Sequence, residues 1–125
     1  MLTKKKVLIV DDDVSLSKIL NLAFNLIGDI EVLNAYNGEE GIMKSISEKP
    51  DLIIMDYKMP GINGWEAAKR IKEDPITKNI PIIGYTAWAG KEDIQRGIKY
   101  GLNEIITKPI DVNIWEEKVK KYLYR

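Results

Sequence analysis

Four short apolar runs each end on a polar residue, and this repeated junction narrows the folds open to the chain. Lys6–Val10 leads into Asp11 and Asp12, Leu52–Met55 into Asp56, Ile80–Tyr85 into Thr86, and Ile105–Thr107 into Lys108 and Pro109. Runs of this length, separated by helical stretches, are expected as parallel strands buried on both faces. In such sheets ligands bind beyond the carboxyl ends of the strands. Three carboxylates, a hydroxyl and an ammonium are therefore expected at one edge, although most of the chain separates Asp11 from Lys108.

Strand and helix patterns alternate from end to end. The first strand is expected at 6–11. The helix after it, at 14–27, carries a stripe of Leu16, Ile19, Leu20, Ala23, Leu26 and Ile27 and closes at Gly28. A more polar strand at 30–35 suits a sheet edge. Asn37 with Glu40 opens a helix at 38–48, and Pro50-Asp51 precedes the third strand at 52–56. Pro60–Gly64 is a loop. Asn63 and Glu66 cap the next helix, which turns Ala67, Ala68 and Ile71 inward and stops at Asp74-Pro75. The remaining elements are a strand at 81–86, a short helix at 91–100 ended by Gly101, a strand at 104–107 and a helix at 112–123. That last helix buries Trp115, Val119, Tyr122 and Leu123, while Gly84 marks close packing by a neighbouring helix.

Five strands alternating with five helices give a doubly wound α/β fold. Alternation does not dictate strand order. The flavodoxin-like order 2-1-3-4-5 is expected, because it sets the first and third strands side by side at the topological switch point. With 125 residues and no linker or repeat, positions 1–125 are expected to form one domain.

Composition excludes several kinds of chemistry. The chain has no cysteine and no histidine, so disulfides, thiolate nucleophiles, Ser-His triads and His-ligated zinc are ruled out. Nineteen basic residues balance nineteen acidic ones, which argues against nucleic acid or an anionic membrane as a bulk electrostatic partner. The Lys-rich start leads into a strand and then aspartates rather than a signal peptide, and no stretch reaches membrane-spanning length. A reducing cytoplasm is compatible with this composition.

The acidic cluster carries the chemistry. Carboxylates about 4 Å apart repel by roughly 4 kcal/mol per pair at an effective dielectric near 20. Either some stay protonated or a cation sits among them. With oxygen ligands only, that cation is a hard one, and Mg²⁺ suits a site that also meets phosphate. Asp13 is expected simply to cap the first helix. A carboxylate such as Asp56, at a central strand end beside a divalent ion, is a credible nucleophile toward phosphorus. Its acyl phosphate would be labile, which suits a signal. Lys108 pairs with the carboxylate or with phosphoryl oxygens, and Pro109 fixes the turn, with a cis or trans bond left open. Thr86 donates its hydroxyl to a phosphoryl oxygen.

These residues together resemble the receiver domain of two-component response regulators, of the single-domain, chemotaxis-regulator type. Val10–Asp13, Leu52–Gly64, Tyr85–Ala87 and Thr107–Pro109 match that family's motifs in order and spacing. The resemblance implies phosphoryl transfer to Asp56 from a sensor histidine kinase or histidine phosphotransfer protein. It implies Mg²⁺ held by Asp12, Asp56 and the Lys58 carbonyl, with Asp11 holding a bound water. Thr86 and Lys108 would read the phosphoryl group and shift the face made by the fourth helix, fifth strand and fifth helix, switching a protein target or passing the signal along a phosphorelay. The domain would assist its own phosphorylation and dephosphorylation without being a conventional enzyme. A stand-alone cytoplasmic receiver, with no direct nucleic-acid contact and no membrane insertion, is the expectation.

Departures from the family pattern are specific. Ile105 occupies the position, three before the lysine, where an aromatic switch residue is common. Lys58 and Trp88 stand two residues beyond Asp56 and Thr86, where they are expected to set the acyl-phosphate lifetime, although Trp88 has an equal claim to packing on the fourth helix. Two other readings compete. Asp11-x-Asp13 resembles the nucleophile motif of haloacid-dehalogenase-like phosphohydrolases, with Asp11 as nucleophile, but this leaves Asp56 and Thr86 unexplained. A degenerate receiver acting only as a docking module is opposed by the intact set of Asp11, Asp12, Asp56, Thr86 and Lys108.

Overall fold

A computed structural model describes residues 4–87, 90–109 and 111–124. Five strands and five helices alternate: β1 (Lys5–Val10), α1 (Val14–Asn25), β2 (Ile30–Ala35), α2 (Gly38–Glu48), β3 (Leu52–Asp56), α3 (Gly64–Glu73), β4 (Ile82–Thr86), α4 (Lys91–Lys99), β5 (Glu104–Thr107) and α5 (Val112–Leu123). The strands form one sheet in the expected order β2-β1-β3-β4-β5. Every neighbouring pair is parallel.

Strand alternation builds a core on each face of the sheet. Val7, Ile9, Leu52, Ile54, Ile83 and Tyr85 turn toward α1 and α5, where they meet Leu20, Phe24, Trp115 and Val119. Leu8, Val10, Ile53, Met55 and Ile82 turn the other way, onto Trp65, Ala67, Ala68 and Ile71 of α3. A strand with both faces covered has no polar positions to spare, hence the unbroken apolar runs of β1 and β3. The edge strand β2 is the more polar one, as expected, with Glu31 exposed.

Caps set the helix starts. The Asp13 carboxylate accepts from the Ser15 and Leu16 N–H groups, so this residue is the N-cap of α1. Asn37 accepts from Glu40 N–H, and Glu40 reaches back to Tyr36 N–H at 2.6 Å. Asn63 accepts from Glu66 N–H at 2.9 Å and starts α3. Gly84 lies under the Trp65 indole, where an added Cβ would come within 2.7 Å of the ring. This is the close helix approach that its place in the strand suggested.

The expected stripe of α1 needs correction. Ile19 and Leu26 are 55% and 89% exposed, and Phe24 takes the core position instead. Ser17, Leu20 and Phe24 define the inward face, and the helix ends at Asn25, so helical spacing no longer applies at Leu26. Two strand boundaries also move by one residue. The β1–β2 ladder runs from the Lys5–Ile30 pair to the Val10–Ala35 pair, leaving Asp11 just beyond it. Strand β4 begins at Ile82 because Pro81 has no N–H to give the ladder. Among the described residues, no helix is long and apolar enough to cross a membrane.

Candidate functional site

The ends of β1, β3, β4 and β5 meet at the switch point. Asp11 and Asp12 follow β1, Asp56 ends β3, Thr86 ends β4, and Lys108 follows β5. Backbone bonds fix these ends: Asp11 N–H donates to Ala35 O at 3.0 Å, Tyr57 N–H to Tyr85 O at 3.2 Å, and Lys108 N–H to Thr86 O at 2.8 Å. The Lys108–Pro109 bond is cis. The loop after β3 closes when Gly64 N–H donates to Tyr57 O at 2.7 Å. Gly64 also lies so close to the Asp56 carbonyl that a Cβ there would stand 1.8 Å from its oxygen.

Asp11, Asp12 and Asp56 each place a carboxylate oxygen within 4.8 Å of the others. Asp11 is fully buried, Asp56 is 5% exposed and Asp12 is open to solvent. Lys108 Nζ lies 3.3 Å from Asp56 Oδ1 and 3.9 Å from Asp11 Oδ2. Thr86 is buried, and its residue lines the same open cleft as Asp12, Asp56, Lys58, Asn63 and Lys108. Lys58 is exposed at the rim. All the named strand-end residues therefore come together. Trp88 lies outside the described residues.

The balance of charge in the cluster is uneven. Burial raises the Asp56 carboxyl, the neighbouring Asp11 charge raises it further, and Lys108 opposes both, leaving it at about 6. Three carboxylates against one ammonium leave a surplus of negative charge with oxygen donors only. A hard divalent cation fits that donor set, and its charge would offset both the burial and the Asp11 repulsion that raise the Asp56 carboxyl.

Tyr85 was not singled out in the sequence. Its ring belongs to the α1–α5 core, and its hydroxyl donates to Asp11 Oδ2. Burial, then the bond to Asp11, pushes that hydroxyl well above the ordinary phenol range, so it stays a donor. The available signal was a phenol inside an otherwise aliphatic strand, since a buried tyrosine hydroxyl needs a partner. In the sequence Gly64 stands out only as the end of a loop and of the Leu52–Gly64 motif, with no sign of its approach to the Asp56 carbonyl.

A doubly wound sheet with an acidic, lysine-containing cleft at its switch point defines a class of α/β domains that bind their ligand at that sheet edge. Residues 7–120 match the family described as the response regulator receiver domain, and the chain belongs to it. It is 37% identical over 119 residues to sporulation initiation phosphotransferase F of Bacillus subtilis, covering 95% of this chain and 94% of that protein. It is 35% identical over 121 residues to the phosphate regulon transcriptional regulatory protein PhoB of Pseudomonas aeruginosa, covering 97% of this chain and 52% of the other. The chain thus spans about half the length of several curated relatives that it matches. Among solved structures, the chemotaxis protein CheY4 of Vibrio cholerae superposes with a TM-score of 0.89 at 28% identity, covering 97% of this chain and all of that one. These residues form a receiver domain of the two-component response-regulator family.

Proposed function

We propose that Asp56 is the phosphoacceptor, and that positions 1–125 act as one receiver unit. The carrying observation is the Asp56 carboxylate itself, at the end of the central strand, 3.3 Å from Lys108 and open to the cleft. An Asp56 oxygen attacks phosphorus of a phosphohistidine on a sensor kinase or phosphotransfer protein. The P–N bond breaks, the imidazole leaves, and an acyl phosphate forms on Asp56. Lys108 neutralises charge on the transferred group, and the Thr86 hydroxyl donates a hydrogen bond to one of its oxygens. Asp12, Asp56 and the Lys58 carbonyl would hold Mg²⁺, with Asp11 behind them. When bound, the ion supplies charge neutralisation for the incoming phosphoryl oxygens. Lys58 at the rim adds positive charge beside the acyl phosphate and so contributes to its lifetime.

The phosphorylated domain would then present an altered α4–β5–α5 face to a downstream protein in the cytoplasm. The hydrolase reading through Asp11 loses ground, because a fully buried carboxylate already bonded to Tyr85 has no approach for a substrate. Incubation with a small acyl-phosphate donor and Mg²⁺, followed by intact mass measurement, should show one added phosphoryl group. Asp56→Asn should abolish it. Phosphate release that depends on Asp11, with no stable adduct, is the result that would favour the hydrolase.

A further inference from the structure

We propose that Tyr85 is a positioning residue, which holds the Asp11 carboxylate away from Lys108 so that the divalent ion and Asp56 can each use their partner. This rests on the receiver reading above and extends it to a residue outside the strand-end set.

The geometry is specific. Asp11 is fully buried, and each of its oxygens has its own donor: Asp13 N–H on Oδ1 at 2.8 Å and the Tyr85 hydroxyl on Oδ2. Two donors on a planar carboxylate fix its rotation. Lys108 is the third neighbour, with Nζ 3.9 Å from Oδ2, longer than its 3.3 Å contact with Asp56. The same ammonium lies 4.6 Å from the Tyr85 ring centroid, so the ring face holds the cation that the hydroxyl keeps at a distance from Asp11. The edge-on contact of Tyr85 with Trp115, at 5.6 Å and 88°, fixes the ring from the α5 side.

Without the hydroxyl, Oδ2 of this fully buried carboxylate loses the donor that now holds it. The nearest replacement is Lys108, and the carboxylate turns to close that ion pair. A tighter Asp11–Lys108 pair competes twice: it neutralises a carboxylate of the acidic cluster and draws the ammonium off Asp56. Tyr85→Phe keeps the ring, hence the contacts with Lys108 and Trp115, and removes only the hydroxyl.

Direct calorimetric titration of the full chain with Mg²⁺ tests this, alongside the rate of adduct formation from a small acyl-phosphate donor. Tyr85→Phe should weaken Mg²⁺ binding about tenfold, the loss carried by one hydrogen bond to a charged group. In a Lys108→Gln background the same substitution should change it by less than about threefold, because no ammonium remains to capture Asp11. A merely structural tyrosine would lower the melting temperature equally in both backgrounds and leave the affinity of the folded protein alone. Binding by Tyr85→Phe within about twofold of wild type would overturn the proposal while leaving the receiver reading intact. An equal loss in both backgrounds would overturn it too. Absence of Mg²⁺ binding by the wild type would overturn both.

Discussion

Asp56 is a carboxylate folded against its own charge. Burial and Asp11 raise it from an ordinary 3.8 to about 6, with Lys108 offsetting only part of this. Between those values the folded state binds more protons than the unfolded one, so stability falls as pH rises through that window. Asp56→Asn should therefore be more stable than wild type at pH 7.5 without divalent ions, by on the order of 1–2 kcal/mol after allowance for solvent screening, and melt at a higher temperature, with the difference vanishing near pH 4. Equal melting points at pH 7.5 would show that Lys108 already balances the site. Gly64→Ala acts on the same residue from behind, since a methyl group cannot occupy a place 1.8 Å from the Asp56 carbonyl oxygen. The loop must shift, and we expect a loss of at least about 3 kcal/mol in denaturant unfolding, together with slower adduct formation. Asp11, Asp12, Asp56, Thr86 and Lys108 were legible in the sequence because each closes an apolar run. Tyr85 and Gly64 were not, because their importance comes from an approach across space to Asp11 and to the Asp56 carbonyl.

At the scale of elements, α4 and β5 meet through a small residue. A Cβ on Gly97 would come within 2.8 Å of Ile105 Cδ1 and Leu102 Cδ1. Gly97→Ala should cost about 1–3 kcal/mol by overpacking, and Gly97→Ala with Ile105→Val should recover part of it in the same unfolding assay. Ile105 is half-buried in this contact. It has no polar tip to swing between solvent and core, so its methyl resonances should shift little on phosphorylation compared with the Thr86 amide. Large Ile105 shifts would refute that. A separate tie holds α4 to the site loop: Arg96 donates to the Tyr57 hydroxyl at 2.6 Å and to Asp93 at 2.8 Å, and the Trp65 indole donates to the Asp93 carbonyl at 2.8 Å. Helix and strand positions were readable from periodicity, capping residues and prolines. The inward face of α1 was not, because Ile19, Leu26 and Phe24 are all apolar and only the tertiary partners on α5 and the sheet choose among them.

For the molecule as a whole, two cores of similar make-up flank one sheet, each centred on a buried tryptophan: Trp65 on the α3 side and Trp115 on the α5 side. Either one changed to alanine should cost about 3–5 kcal/mol, a large fraction of a domain's stability. Mg²⁺ should act in the opposite direction. An ion bound only by the folded form stabilises it by about 2.7 kcal/mol at a hundred times its dissociation constant. We expect the melting temperature of wild type to rise with Mg²⁺, and that of Asp56→Asn to rise less. The strand order was expected from the placement of a switch point rather than from any local signal, since pairing between β1 and β3 leaves no mark within either strand. Only the demand that Asp11, Asp12 and Asp56 serve one site connected them.

The site also has an order of assembly. The three carboxylates come from the ends of β1 and β3, whereas the one ammonium paired with Asp11 and Asp56 among the described residues arrives with β5, the last strand. A chain growing on the ribosome makes the acidic half first. Until Lys108 docks beside Thr86, Asp11 and Asp56 face each other without a cation from the protein. Premature closure of the sheet is thus opposed by their repulsion, and completion of β5 relieves it. A fragment ending before Glu104 should for that reason be the one truncation that magnesium ions rescue most.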